Sequence, residues 1–254
     1  MKTTFIITSA VMTNLGVYDL DTRILQSLRT VESIRNNFAD ANIILVEGGD
    51  PRINQTNHPL WIALKQSCSA YLDLTQNDQI EFIHSNINPH VKNKREMGGL
   101  SGVIKSISEM TIFYQTLLAL RDAPELAEMR EVDRVFKISG RYELSPLFDK
   151  NMYPNDDSYT FKQSVASWIP DAIKQVGTDR FYSSRLWSFC PTRLNATIEH
   201  FENMINDAHT LNEANKYIDI EHLLFKHIGP EHAVELDWTH LMGTIAPNGT
   251  MIYD

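Results

Sequence analysis

The sequence lacks most of what would mark a basic, disulfide-stapled or membrane-spanning chain. Among its 254 residues, 23 are Lys or Arg and 32 are Asp or Glu, a net charge of −9 with no basic run. Binding a nucleic-acid backbone relies on a cluster of cations that displaces counterions, so no nucleic-acid partner is expected. The two cysteines, Cys68 and Cys190, lie far apart. That spacing supports neither a disulfide framework nor a cysteine zinc site, and it suits a reducing compartment. No stretch approaches the roughly 18 to 20 apolar residues of a membrane span. The opening MKTTFIITSAV is too short and too polar for the core of a signal peptide, so a cytoplasmic chain without a membrane span is expected. Phosphate-binding signatures are missing as well: no G-x-G-x-x-G follows the first apolar run, and no G-x-x-x-x-G-K-[ST] occurs. This weakens the case for a dinucleotide oxidoreductase or a P-loop NTPase. An anionic ligand would have to be held by scattered loops.

What is present is alternation. Hydrophobic residues make up 43% of the chain and charged residues 22%, enough for a sizeable core. Thr4 to Val11 is a short apolar run, Asp21 to Phe38 carries Ile24, Leu28, Val31, Ile34 and Phe38 at helical spacing, and Asn42 to Val46 is apolar again. Pro59 to Leu72 reads as a second helix and Gln79 to His84 as a third strand. Val103 to Leu120 reads as a long helix, with Val103, Ile107, Met110, Tyr114 and Leu117 on one stripe. A fourth strand opens VFKISGRYELS, residues 135–145. Strands too apolar to face water on either side predict an α/β fold with a mainly parallel, Rossmann-like central sheet. From about residue 150 the pattern becomes mixed: SYTFKQSVASW and RFYSSRLWSF look like strands, and Thr192 to Ala208 like a helix. We expect one domain over 1–254, with a boundary of function rather than of folding near residue 150.

In an open α/β sheet, ligands bind beyond the carboxyl ends of the strands. Four strand ends therefore matter. The first offers Thr8, Ser9 and Ala10, small enough for close backbone approach. The second, EGGD, offers Glu47 and Asp50 to ribose hydroxyls, and the third places Gly98, Gly99 and Gly102 before the long helix, where backbone N–H groups suit phosphate. The fourth is Ser139, Gly140, Arg141, Tyr142 and Glu143. A turn has a use for the glycine but none for the two opposite charges beyond it. Each segment taken singly also fits a plain turn or a solvated loop, and Arg141 with Glu143 also fits a surface ion pair.

Three strings combine into a resemblance. TTFIITSAV followed by a helix with Arg23, Arg29, Ser33 and Ile34, the strand ending in VEGGD, and FKISGRYELS resemble small GT-A-fold glycosyltransferases. K-[IL]-[ST]-G-R-Y is similar to a string in bacterial surface-polysaccharide and phage-encoded members. The resemblance covers residues 3–150. It implies a single Rossmann-like domain in which 1–150 holds a nucleotide-sugar donor, a UDP-sugar foremost, and 151–254 shapes acceptor and catalysis. It implies glycosyl transfer to a carbohydrate or other hydroxyl acceptor, with a divalent cation, Mn²⁺ or Mg²⁺, as cofactor. Donor-binding residues would be Thr8, Ser9, Ala10, Glu47, Gly98, Gly99, Ser139, Gly140, Arg141 and Tyr142.

The chain departs from that pattern where many members end the fourth strand on Asp-x-Asp. Either Glu143 supplies a hard oxygen ligand to the metal, or Arg141 supplies the positive charge that the leaving diphosphate needs. Asp156 and Asp157 sit in a turn composition and are expected to be a turn. A helix from Tyr217 would put Tyr217, Ile218, Leu224, Phe225 and Ile228 on one face with Glu221 in its middle, and Asp219, His222 and Lys226 on an opposite, wet face. A carboxylate against apolar surface has its pKa raised and can take a hydroxyl's proton. The I-D-I-E-H string also resembles the acidic motif at the head of the family's acceptor-side helix, which would make Glu221 the base. A Glu221 paired with an arginine or an amide fits the same position. Trp238 and the Gly243 loop suit a flap with a stacking face for a sugar. His240 is carried over from the family's late histidine as a metal ligand, against an ordinary structural role. A sugar-phosphate nucleotidyltransferase, whose glycine- and lysine-rich signature TSAVMTNLG lacks, and a non-catalytic nucleotide- or carbohydrate-binding module remain as alternatives.

Overall fold

The computed structural model describes residues 1–13, 18–79, 99–244 and 250–254, with backbone alone at 99–102. Strands β1 (Thr3–Ser9), β2 (Asn42–Glu47), β3 (Ala70–Asp73) and β4 (Arg134–Ser139) are interleaved with helices α1 (Leu20–Asn37), α2 (Pro59–Ser67), α3 (Gly99–Asp122) and the single turn α4 (Ala127–Arg130). The remainder holds β5 (Tyr142–Leu144), β6 (Tyr159–Lys162), β7 (Val165–Ala166), α5 (Ala172–Val176), β8 (Arg180–Phe181) and β9 (Leu186–Phe189). It ends with α6 (Leu194–Glu213), α7 (Ile220–Ile228), β10 (Ala233–Leu236), β11 (Leu241–Thr244) and β12 (Met251–Tyr253). No helix among the described residues is long and apolar enough to cross a membrane.

Among the described residues, seven strands form the central sheet in the order β10-β6-β9-β4-β1-β2-β3. Only β9 runs against the rest. The other six strands therefore deliver their carboxyl ends to one edge of the sheet, as the α/β expectation requires. Side chains alternate between faces along a strand. Phe5, Ile7, Ile43, Leu45, Phe136 and Ile138 pack under α1 and α2, whereas Ile6, Ile44, Val46 and Val135 join a larger core with α3, α6 and α7. Each such residue fully removed from water contributes roughly 1.5–3 kcal/mol, which is why these strands read as continuous apolar runs.

Beyond β4, the chain turns at Gly140 and Arg141 and lays β5 across α1, where the Leu144 amide donates to Ser33 Oγ at 3.0 Å. Strand β5 opens a small antiparallel sheet, β12-β11-β5. It brings the late segment around Trp238 to Gly243 back onto the end of β4.

Several sequence expectations are corrected. The helix expected over Pro59 to Leu72 stops at Ser67, and its tail forms the third strand, β3. Gln79 is not in a strand, and residues 80–84 of the strand expected there lie outside the described residues. The two strands expected after residue 150 are each broken in two. The first forms β6 and β7 and the second β8 and β9, with β7 and β8 making a short antiparallel ribbon apart from the main sheet.

Candidate functional site

At the carboxyl edge of the sheet, Thr8, Ser9, Ala10, Val11, Arg23, Ser27, Gly140 and Arg141 line a small concavity open to solvent. Five of the expected donor residues thus meet in one place. The floor is set by hydrogen bonds between the two strand ends: the Gly140 amide donates to Thr8 O at 2.9 Å, and Ser27 Oγ from α1 donates to Gly140 O at 2.9 Å. A side chain at Gly140 would begin 3.0 Å from Ser27 Oγ and 3.2 Å from Ile7 Cγ2, so close approach explains the glycine. Arg141 stands over the ring of the buried Tyr142 at 5.5 Å, and Arg185 lies near the same ring at 5.9 Å. Tyr142 is therefore a support for guanidinium groups, buried in the core cluster under α1. Arg23, on the first turn of α1, donates to Ala10 O at 3.0 Å. Burial, and next the charge of Arg141, pull its guanidinium below the ordinary range.

The Glu47 carboxylate is not presented at the surface. It is completely buried, and its carboxylate accepts from the Val11 amide at 3.2 Å, the Gly49 amide at 2.8 Å and Ser9. Loss of solvent pushes its pKa up to about 7 against those amides. Its geometry fastens the loop after β1 to the end of β2 rather than offering oxygens to a ribose. Gly98 lies outside the described residues, and Gly99 begins α3.

Ser139 leads away from the concavity through a buried polar chain that sequence reasoning missed. Lys137, 1% exposed within β4, donates to Ser139 Oγ at 2.9 Å, Glu109 Oε1 of α3 at 2.6 Å and Ser184 O at 2.6 Å. Ser184 Oγ in turn donates to Glu221 Oε1 at 2.7 Å. Burial works against ionisation of Glu109, but the charges of Lys137 and Lys105 hold its carboxyl below the usual range. Glu221 shifts in the opposite direction. Desolvation raises its pKa, the neighbouring Asp219 charge raises it further, and the Ser184 hydroxyl offsets part of this. A carboxylate with raised proton affinity at the head of α7 can accept a proton from a hydroxyl. The signal for Lys137 was a single lysine inside an otherwise apolar strand.

Helix α7 is shorter than expected and begins at Ile220, capped by Asp219, which accepts from the His222 amide at 2.8 Å. The wet face expected for Asp219 and His222 is a correction: both are buried. The His222 ring lies 2.7 Å from Asp219 Oδ1 through Nδ1 and 2.7 Å from Ser167 Oγ through Nε2, because the β7–β8 ribbon covers that side of the helix. Lys226 is exposed as expected and pairs with Asp207 at 2.6 Å. Asp156 and Asp157 are loop residues, the latter paired with Arg193 at 3.1 Å.

Gly243 meets the turn at Arg141, where a side chain would begin 2.6 Å from Arg141 O, and its φ of 153° also favours glycine. Trp238 is 58% exposed, with Lys162 Nζ 5.9 Å from the ring centre. Residues 245–249 of the flap segment lie outside the described residues. The expected metal ligands do not assemble. Glu143 stands opposite Met242 in the β5–β11 pair, and His240, at a φ of 53°, accepts at its carbonyl from the Ser145 amide. Among the described residues, no three His, Cys, Asp or Glu side chains converge. Among the described residues, the end of β4 carries Arg141 and Arg23 beside the Lys137–Glu109 pair, and neither Glu143 nor His240 is joined there by further ligands. These residues do not fit a divalent metal.

No protein-family model and no curated protein matches the sequence. The structure is similar to the mannosyltransferase Ktr4p from S. cerevisiae, with a TM-score of 0.48 and 7% identity over 87% of this chain and 64% of that one. The chain thus spans less than two thirds of the length of that protein. It is also similar to the galactosyltransferase LgtC solved with donor and acceptor sugar analogues, with a TM-score of 0.48 and 10% identity over 92% and 73% of the two chains. Mouse xyloside xylosyltransferase 1 follows, with a TM-score of 0.41 and 9% identity over 93% and 85%.

Proposed function

We propose that the chain is a glycosyltransferase that moves a sugar from a nucleoside diphosphate sugar to the hydroxyl of a carbohydrate or other acceptor. One observation carries this reading. A concavity edged by two guanidinium groups and a carboxylate of raised proton affinity lie at the same edge of the sheet, joined by the buried chain Ser139, Lys137, Ser184 and Glu221. Glycosyl transfer asks for both parts: a cationic site for a departing diphosphate and a base for the incoming hydroxyl. In this mechanism the residues after β1 and β4 hold the donor. Glu221 takes the acceptor's proton as the new bond forms on the face of the sugar opposite the leaving group, so the configuration at the transferred carbon inverts. The resemblance of FKISGRYELS to donor-binding segments supports the same assignment.

The test is to incubate the protein with a panel of nucleotide sugars, uridine diphosphate sugars first, and hydroxyl acceptors, and to measure release of the free nucleoside diphosphate. Acceptor-dependent release supports the proposal. Tight nucleotide binding with no release under any acceptor would make the chain a binding module instead.

A further inference from the structure

Away from the concavity, the β7–β8 ribbon and the head of α7 bring together three side chains that glycosyl transfer does not use. His222 is buried, with its Nδ1 2.7 Å from Asp219 Oδ1 and 2.8 Å from Oδ2, and its Nε2 lies 2.7 Å from Ser167 Oγ. These contacts assign the hydrogens. A carboxylate only accepts, so in the neutral ring Nδ1 carries the hydrogen and Nε2 presents its lone pair to the serine. Ser167 Oγ accepts from the Ile169 amide at 3.1 Å and donates its own hydrogen to Nε2. Asp219 is held in turn by the His222 amide at 2.8 Å and by the Tyr217 hydroxyl. The rings of Phe181 and Tyr217 stand 5.2 Å and 6.0 Å from the imidazole and leave it one orientation.

A hydroxyl bonded to an imidazole that a carboxylate holds from its far side is the arrangement that turns serine into a nucleophile, and it is recognised by geometry and roles rather than by fold or chain position. The base and the carboxylate are buried, whereas Ser167 is half-buried directly after β7. Apolar side chains flank it at the surface: Trp168 is 57% exposed, with its ring edge-on to Tyr217 at 5.6 Å, and Val165 is 47% exposed. The Trp168 amide makes no hydrogen bond among the described residues. The amide of the residue after the nucleophile is a recurring donor to the oxyanion in such sites.

We propose that Ser167, His222 and Asp219 form a second catalytic site, which hydrolyses a carboxylic ester with an apolar acyl group. Ser167 Oγ bonds the ester's carbonyl carbon as its proton passes to His222 Nε2. The bond from that carbon to the alcohol oxygen then breaks, and the alcohol leaves with the electron pair and the proton from Nε2. Water, giving a proton to the same nitrogen, attacks the acyl carbon, frees the carboxylic acid and returns the hydrogen to Ser167. Neither step uses Glu221 or the concavity, so the inference stands apart from the glycosyl-transfer reading.

The experiment uses the full chain with p-nitrophenyl acetate and p-nitrophenyl butyrate, following release of p-nitrophenolate. In parallel, a fluorophosphonate probe is followed by mass spectrometry and peptide mapping. We expect ester hydrolysis and a phosphonyl adduct at Ser167. Ser167→Ala removes one hydroxyl from a half-buried position, so its circular dichroism should match the wild type while hydrolysis falls about a hundredfold or more. His222→Gln keeps a polar group beside Ser167 but cannot take the proton, and labelling of Ser167 should slow by a similar factor. Hydrolysis no faster in the wild type than in Ser167→Ala would overturn the inference. So would a wild type without an adduct at Ser167, or labelling that a folded His222→Gln retains at the wild-type rate.

Discussion

The two ends of the proposed site are held in different ways. Around the concavity, the hydrogen bonds run mainly to main chain: the Glu47 carboxylate collects the amides of Val11 and Gly49, Ser27 and Arg23 bond the carbonyls of Gly140 and Ala10, and the Gly140 amide bonds Thr8 O. Around Glu221, positions are set by side chains, in the run from Lys137 to Glu109, Ser139 and Ser184, and in the Asp219–His222–Ser167 run beside it. Parallel strands deliver their ends in register, so a loop that grips backbone needs little else to be placed. The second half contains an antiparallel strand and a detached ribbon, and there the framework comes from charged and hydroxyl groups in the interior. Such networks are sensitive to the loss of a single member.

The largest effect should follow from breaking that interior framework. Lys137→Met leaves Glu109 without its partner, and removing one member of a buried pair costs about 3 to 5 kcal/mol. The 19% exposure of the Glu109 side chain favours the lower end. Chemical denaturation measures this, and the double variant Lys137→Met with Glu109→Gln should regain part of the loss. A single variant as stable as the wild type would show that the pair holds nothing in place.

Glu47 sharpens the comparison from the other end. Its folded pKa of about 7 lies above the ordinary 4.5. The protonated form is therefore favoured by folding: the contribution is fully present below about pH 4.5 and is lost as the pH rises through about 7. At about 1.4 kcal/mol per unit, this difference is of order 3 kcal/mol. Thermal unfolding from pH 5 to 8 should show the decline, and Glu47→Gln should flatten it. A variant with the same slope as the wild type would assign the decline to another group.

Glu221→Gln keeps shape but cannot take a proton, so turnover should fall on the order of a hundredfold. The wild-type rate should rise with pH through an apparent pKa above that of an ordinary glutamate, because ionised Glu221 is the active form and its pKa is raised. The variant should lack that limb. The smallest effect belongs to Gly140→Ala, where the added carbon must displace Ser27 Oγ from 3.0 Å. A loss of about 1 kcal/mol is expected, read from denaturation.

The backbone-held half was the more legible in sequence. Strands buried on both faces become apolar runs, and α1 shows its period from Ile24 to Ile34. Strand β3 escaped because no glycine or proline separates it from α2, and its short, half-exposed Ala70–Asp73 lets the helical period run on. The concavity was legible at Thr8, Ser9, Ala10, Gly140 and Arg141, since strand ends in such a sheet face ligands. Arg23 was not, because its place depends on how α1 docks. Asp219 and His222 were read as solvent-facing because polar residues on one side of a helix usually are. Only the tertiary placement of the β7–β8 ribbon buries them. The metal assigned to Glu143 and His240 came from the family pattern, and the register of β5 with β11 brings them no third ligand among the described residues.

The central claim is that the two ends divide the labour, one binding the nucleotide and the other moving the proton. The most direct test is the affinity for uridine diphosphate of three proteins: wild type, Arg141→Ala and Glu221→Gln. The account predicts an affinity unchanged within about twofold for Glu221→Gln and weakened tenfold or more for Arg141→Ala, since a hydrogen bond to a charged group is worth roughly 1.5 to 3 kcal/mol. Equal affinities in all three proteins, or a loss as large in Glu221→Gln as in Arg141→Ala, would contradict it.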